Sequence, residues 1–233
     1  MIDLAGNALE YLKKDYWINV DMIEPIRMNQ AKFIYAAADG VLLVEKRSSA
    51  IMAAFDKPDK ALALLLAQPP FQAIRLTDEQ LVKPLMNHFH FSECMKCHQV
   101  VYPSKDRLPE SNRLMIKTMR VEDFEIVKTY YNNLSDEDLM IHLRQQDIYG
   151  GYYDGHLVGF IGTHLEGSIG ILFVLSEFRQ RGFASELESF MINHQLAKNL
   201  LPYAQVKTDN EQSKALQRKL GMKIVEKPLF WLF

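Results

Sequence analysis

The chain has 233 residues, 48% hydrophobic and 24% charged, with 27 basic side chains against 29 acidic ones and a formal net charge of −2. That is the composition of a globular chain long enough for one or two domains, and its charge balance excludes the basic footprint that nucleic acid or an anionic membrane would require. The longest apolar run, Ala61 to Ala67, is too short to span a bilayer, Met1-Ile2-Asp3-Leu4 lacks the features of a signal peptide, and two cysteines make no disulfide framework, so a cytoplasmic protein is expected.

In chain order, Leu4 to Ile26 reads as helical, broken near Pro25. Lys32 to Glu45 reads as a hairpin, with Asp39-Gly40 as a type I′ turn signal. Asp59 to Gln68 is a helix ended by Pro69-Pro70. Gln72 to Leu76 is a strand, Asp78 to His88 a helix, and Gln99 to Tyr102 a strand. The polar stretch from Pro103 to Asn112 has the composition of a linker. The expected domains are therefore 1–112, an α/β region with no phosphate-type turn of its own, and 113–233.

After the linker, Leu114 to Met119 reads as a strand. Val121-Glu122-Asp123 opens a helix through about Tyr131, and Ser135-Asp136-Glu137-Asp138 caps a second one that reaches Gln146. Strands follow at Tyr149 to Tyr153, Leu157 to His164 and Ile169 to Leu175, joined by turns at Asp154-Gly155 and Glu166-Gly167-Ser168. Val225 to Phe233 supplies the last strands, with Phe230-Trp231-Leu232-Phe233 expected inside.

The stretch from Val174 to Ala184 is the most informative. The buried strand ending at Leu175 breaks into a charged turn and restarts as a helix with apolar residues at Phe183, Leu187, Phe190 and Met191. A strand that turns directly into a helix leaves the first helical N–H groups unpaired in a positive potential, which an anion satisfies. Gly182 marks close backbone approach or a conformation that a β-carbon disfavours. A second segment follows the strand Tyr203 to Thr208. Asp209 to Met222 reads as an Asn/Asp cap, an amphipathic helix and a Gly stop.

Strand, R-x-x-G-x-A, helix, strand, then N-x-x-S-x-A-L-x-x-K-L-G-M resembles, over roughly 113–233, the acetyl-CoA-binding part of the GNAT superfamily of N-acyltransferases. The resemblance implies an α/β fold with a mixed, mostly antiparallel sheet flanked by helices. The smaller N-terminal α/β domain is a candidate degenerate half of the same architecture. It further implies that Gln180, Arg181, Gly182, Phe183, Ala184 and Ser185 cradle the CoA pyrophosphate, with Arg179 and Arg181 adding charge-assisted contacts. The exposed edge at Phe173, Val174 and Leu175 would bind the pantetheine amides, and Asn210 and Ser213 would contact the cofactor arm. For each side chain a plainer role stands beside this: a solvated charge for the arginines, an N-cap for Asn210, a surface position for Ser213.

The implied reaction is direct attack of an amine on the thioester of acetyl-CoA in a ternary complex. An alkylamine with pKa ~10.4 is about one part in 10³ neutral at pH 7, a handicap of roughly 4–5 kcal/mol, so a general base is the demanding part. Ser168 stands where many relatives carry a glutamate, which makes Glu166 and His164 the substitutes. Gln217 stands where many carry a tyrosine that protonates the departing sulfur. A thiol has pKa ~8.5, so thiolate is a tolerable leaving group and the change is survivable. The expected function is an N-acetyltransferase acting on a small molecule or peptide amine. A non-catalytic acyl-CoA-binding or regulatory protein is the alternative, favoured by Ser168 and Gln217. Expected partners are acetyl-CoA and the amine, with a monomer or homodimer as the state.

One constellation lies outside these motifs. His88-x-His90-x-x-x-Cys94-x-x-Cys97-His98 gathers both cysteines and three of the seven histidines. Cys-x-x-Cys-His matches haem attachment, but that chemistry needs an export route. Zinc or inert structural residues are the two readings left, and a lone Cys-x-x-Cys without a second pair favours the inert one, with no metal expected.

Overall fold

The computed structural model describes residues 3–233 and divides into two compact units. The first takes the chain up to Val101 and then 205–214 and 223–233. The second takes 102–204 and 215–222.

In the first unit, α1 (Leu4–Leu12) and α2 (Val20–Arg27) precede β1 (Ala31–Ala37), β2 (Gly40–Glu45) and β3 (Ile51–Phe55). Then come α3 (Pro58–Leu66), β4 (Ile74–Leu76), α4 (Val82–Phe89) and β5 (Cys94–Val101). The chain returns late in the sequence to add β11 (Lys223–Leu232), which lies between β4 and β5 in the order β1-β2-β3-β4-β11-β5. Only the β3–β4 pairing of this set is parallel. Alternation along β11 serves two cores. Leu229 and Trp231 join Leu12, Met22, Ile23 and Met52 under α1 and α2. Phe230 and Leu232 join Ala61, Leu65, Leu81 and Leu85 under α3 and α4. Trp231 is thus buried as expected, whereas Phe233, also expected inside, is 42% exposed and stacks face to face on Trp231, with ring centroids 5.9 Å apart.

The second unit holds β6 (Met115–Thr118), α5 (Phe124–Tyr130), α6 (Asp136–Gln145), β7 (Ile148–Tyr153), β8 (His156–Thr163), β9 (Ile169–Val174) and α7 (Phe183–Ala197). β10 (Tyr203–Lys207) and α8 (Glu211–Lys219) each run across the boundary between the units. The strand order is β10-β9-β8-β7-β6, antiparallel except for β10 with β9. Asp154 and Gly155, both at positive φ, make the two-residue turn between β7 and β8. Val127, Leu139, Leu143, Phe160 and Ile171 form a core against α5 and α6.

Several local expectations are corrected. The N-terminal helical stretch breaks between α1 and α2 rather than at Pro25, which sits inside α2, two residues from its end. Asn19 makes the restart: its carbonyl accepts from the Met22 and Ile23 amides, and its side chain donates to the Leu12 carbonyl that ends α1. The first hairpin forms, but its two-residue turn is Ala38-Asp39 and is not of type I′, because neither residue has positive φ. Gly40 opens β2 instead, where a β-carbon would meet the Phe55 ring at 2.1 Å.

The first unit buries an ion pair. Arg75 and Asp21 are both fully buried, with Nε to Oδ2 at 2.7 Å. Arg75 also donates to the Ile18 carbonyl, and Gln205 links Asp21 (3.0 Å) to Gln99 (3.2 Å) and accepts from the Trp231 indole (2.6 Å). Such a pair is close to neutral against an apolar replacement, but removing one partner strands the other. Arg75→Met should therefore destabilise the protein by about 3–5 kcal/mol in urea unfolding, and Arg75→Met with Asp21→Leu by clearly less. Equal losses in the single and double variants would show that the stranded charge is not the cause.

Candidate active site

β9 is held unequally along its two edges. On one side it pairs with β8 along most of its length; on the other it pairs with β10 only at Ile169, opposite Ala204. The β8–β9 register shifts between Phe160 and Gly162, and Ile171 sits there at φ +50. For a β-branched residue that is an outlier costing of order 1–3 kcal/mol, the kind of strain that persists where the surroundings enforce it. Phe173 packs beyond it, its ring between those of Phe160 (5.9 Å) and Tyr130 (5.4 Å).

After Leu175, a single 3-10 turn at Ser176–Phe178 leads into the bend. Gln180 is at φ +62 and Gly182 at φ +87, with Arg181 between them on the ordinary side. Such alternation turns successive N–H groups into one concavity, a nest for an anion. Gly182 is the N-cap of α7 and its side is open, a β-carbon meeting only Arg113 Nη2 at 3.3 Å. The first helical hydrogen bond runs from the Glu186 amide to the Gly182 carbonyl. Six consecutive amides, Gln180, Arg181, Gly182, Phe183, Ala184 and Ser185, donate to no acceptor among the described residues. They lie at the positive end of a 15-residue helix, the first three on exposed residues.

The two arginines are exposed and lean on aromatic faces: Arg179 over Phe173 at 5.5 Å, Arg181 over Phe178 at 5.5 Å. Arg179 Nε also donates to the Val174 carbonyl at 3.0 Å. The sequence reading missed Arg113. It donates to the Arg181 carbonyl at 3.1 Å, pairs with Glu186, and lies over the Phe183 ring, so it braces the turn from the end of the linker segment. Nothing in its local sequence marks it, because the contact spans 68 residues.

His164, Glu166 and Ser168 come together on the β8–β9 turn. The Ser168 hydroxyl donates to Glu166 Oε1 at 2.5 Å, and the His164 amide donates to the Ser168 carbonyl at 2.9 Å. The His164 imidazole lies over Gly170, where a β-carbon would meet Nε2 at 2.3 Å. Burial pushes the Tyr131 phenol above its usual range, and the Glu166 carboxylate adds to that shift. A carboxylate, an imidazole and a phenol thus line the start of β9, with Ser168 orienting the carboxylate.

Gln217 is placed elsewhere. It is buried, and its Nε2 donates to Glu188 Oε1 on α7 at 2.5 Å. Glu188 went unnoticed in the sequence, although it shares the inward row Ala184–Glu188–Ile192 with residues flanking Leu187 and Met191. Asn210 and Ser213 belong to the first unit, where Asn210 Oδ1 accepts from the Ser213 amide at 3.0 Å as a helix cap does.

The Cys-x-x-Cys pair lies on β5, where residues three apart face opposite sides of a strand. Cys94 is exposed and Cys97 buried, so the two cannot share a metal. The His98 ring is bonded to the Val225 carbonyl at 2.9 Å. Among the described residues no group of three or more His, Cys, Asp or Glu side chains is arranged to hold a metal ion, and no helix is long and apolar enough to cross a membrane.

Comparison with known proteins agrees with this geometry. The model of the Acetyltransferase (GNAT) family matches residues 114–222. No curated protein sequence matches the chain. Among solved structures, a Drosophila protein superposes with a TM-score of 0.70 at 16% identity, covering 98% of this chain and 95% of its own. A GCN5-related N-acetyltransferase from Sphaerobacter thermophilus gives 0.55 at 12% identity, covering 98% and 91%. A GNAT-family acetyltransferase from Colwellia psychrerythraea gives 0.52 at 11%, covering 97% of each. At these identities the likeness is one of fold, and it extends over both units.

Thiol chemistry tests the placement of the cysteines. Burial pushes the Cys97 thiol up to about 12, whereas Cys94 is exposed. A disulfide reagent at pH 8 should label one thiol per native chain, lost in Cys94→Ser, and two after unfolding. Rapid labelling of both in the native protein would contradict the strand placement.

Proposed function

With residues 114–222 forming a GNAT-family acetyltransferase domain, we propose that the protein is an N-acetyltransferase that moves the acetyl group of acetyl-CoA to the amine of a small molecule or peptide. The observation that carries this reading is the run of six amides from Gln180 to Ser185 without an acceptor, at the N-terminus of α7. A pyrophosphate supplies the acceptors that this concavity lacks. Arg179 and Arg181 flank it on the solvent side. The edge of β9 beyond Ile169, without a ladder partner on its β10 side, offers the backbone groups of Val174 to a pantetheine amide, since the Leu175 amide and the Phe173 carbonyl face β8. The Val174 carbonyl already accepts from Arg179, so that arginine turns outward as cofactor enters.

Chemistry follows from the turn before β9. The acceptor arrives as an ammonium and must lose a proton before its nitrogen attacks the thioester carbonyl. Glu166, aimed by Ser168, is the base, directly or through one water, and His164 stands beside it as the substitute. The C–S bond then breaks as the acetyl group moves to nitrogen, and the thiolate leaves. Gln217, turned into Glu188, offers the sulfur at most a hydrogen bond. That same burial of Gln217 favours the second reading, an acyl-CoA-binding regulatory protein with little turnover. Release of CoA thiol on adding amines separates the two.

A ligand that binds only the folded state stabilises it by about 2.7 kcal/mol at a hundredfold excess over Kd. Each kcal/mol moves the midpoint by roughly 2–4 °C in a chain of this size. Saturating acetyl-CoA should therefore raise Tm by about 5–10 °C, and pantetheine, which lacks the pyrophosphate, by less. No shift with acetyl-CoA would sink both readings. Once an acceptor is found, Glu166→Gln should lower kcat about 10²-fold with acetyl-CoA affinity unchanged. An unaltered rate would transfer the role to His164.

A further inference from the structure

Glu188 is 2% exposed and has no ion-pair partner among the described residues. Its Oε1 accepts from Gln217 Nε2 at 2.5 Å, while its Oε2 has no hydrogen-bond partner among the described residues. Gln217 is 4% exposed, and its own Oε1 is likewise unpartnered. Two buried acceptors without donors thus sit on two groups already joined by one hydrogen bond. A buried carboxylate with no cation takes up a proton in preference to remaining charged. One proton on Glu188 Oε2 creates the missing donor, and the amide oxygen is the acceptor left over.

We infer that Glu188 stands neutral in the folded protein and positions Gln217 through a carboxyl–carboxamide ring of two hydrogen bonds. Such a ring fixes the plane of the amide and settles which end carries the nitrogen. The Gln217 N–H not donated to Glu188 is then held in one direction. That this N–H faces the departing sulfur rests on the proposed acetyl transfer; the pairing itself does not.

The surroundings offer no competing charge. β8 and β9, which pack on α7, carry between them one titratable side chain, the exposed His156. On α7 itself, Glu186 is paired with Arg113 and His194 is bonded to Tyr149. On α8, Lys214 is bonded to the Thr208 carbonyl and to Glu211, and Arg218 and Lys219 are exposed. Burial accordingly pushes the Glu188 carboxyl up to about 7, with the Gln217 hydrogen bond opposing. A carboxyl raised on folding holds its proton longer in the native state. Its contribution to stability is therefore full below the unfolded value near 4.5 and is lost as pH rises through about 7.

The test follows side-chain carboxyl carbons by NMR in the full chain labelled with ¹³C-glutamate, the Glu188 signal being the one absent from Glu188→Gln. Its titration midpoint should lie near 7, against ~4.3 for an exposed glutamate, and should rise further in Gln217→Leu, where the opposing hydrogen bond is gone. Glutamine at 188 supplies the second donor permanently. Glu188→Gln should exceed the wild-type Tm slightly at pH 5.5 and by more at pH 8, while Glu188→Ala falls below wild type at pH 5.5. A midpoint below about 5, or a Glu188→Gln protein less stable than wild type at pH 5.5, would overturn the neutral pair. Acetyl-CoA affinity measured at pH 6 and pH 8 tests the positioning role. The ratio of wild-type to Glu188→Gln affinity should fall severalfold at the higher pH, since the ionisation of the ligand cancels in it. A ratio that stays constant overturns the positioning role. Absence of acetyl-CoA binding at either pH removes the acetyl-transfer reading and that role with it, and the titration still decides the pair.

Discussion

The candidate site depends on β9 having a partner strand along only one of its edges. A strand paired on both sides has its backbone groups consumed by the sheet, and nothing remains for a ligand. Here the parallel ladder to β10 ends at its first rung, Ile169 with Ala204, and the opposite ladder to β8 slips at the residue pair around Ile171. The positive φ of Ile171 is the local cost of that slip. The aromatic stack of Phe160, Phe173 and Tyr130 holds the strand against its flank while its other edge stays open. The same strand then runs into the bend that presents the free amides at α7. Edge and helix end thus belong to one continuous stretch of backbone, which suits a long, extended ligand with an anionic group at one end.

The two units handle buried polarity differently. In the first, Arg75 and Asp21 are embedded in a web that reaches Asn19, Gln99, Gln205 and Trp231, and it locks α2 onto β4. The charges are matched, so the web is a fixed feature of the fold. In the second, Glu188 and Gln217 share a single hydrogen bond and leave two oxygens unmatched. A buried carboxylate paired with a cation specifies structure; a buried carboxyl without one is where a proton can come and go.

Much of the second unit was legible in the sequence because its signals are local. Asp154-Gly155 forces a tight turn, the Ser135 side chain caps α6, and a glycine at the strand-to-helix bend needs only a few residues around it to be read. The amides left without acceptors follow from that bend. What was not legible depends on distant partners. β3 is buried along nearly its whole length, so it carries no alternation to detect. Gln180 adopts positive φ with no side-chain feature that calls for it, and Arg113 reaches its contacts across 68 residues. Asp39-Gly40 looked like a type I′ turn, but the hairpin places Gly40 one residue later, where contact with Phe55 rather than backbone freedom selects it. Glu188 hid in an apolar helix because one carboxylate among inward-facing residues breaks the pattern without announcing why.

The position of β11 carries a consequence for how the chain reaches this fold. It fills the gap between β4 and β5, whose own residues lie within the first 101. As the chain leaves the ribosome, β4 can pair with β3, but the edges that β4 and β5 turn towards β11 stay unpaired until residues 223–232 emerge. Leu229 and Trp231 for one core, and Phe230 and Leu232 for the other, arrive with them. The first unit synthesised is therefore the last able to complete itself, and the sheet edges it shows in the interval are the sticky kind on which chaperones act. Early truncation would leave both of its cores open at once.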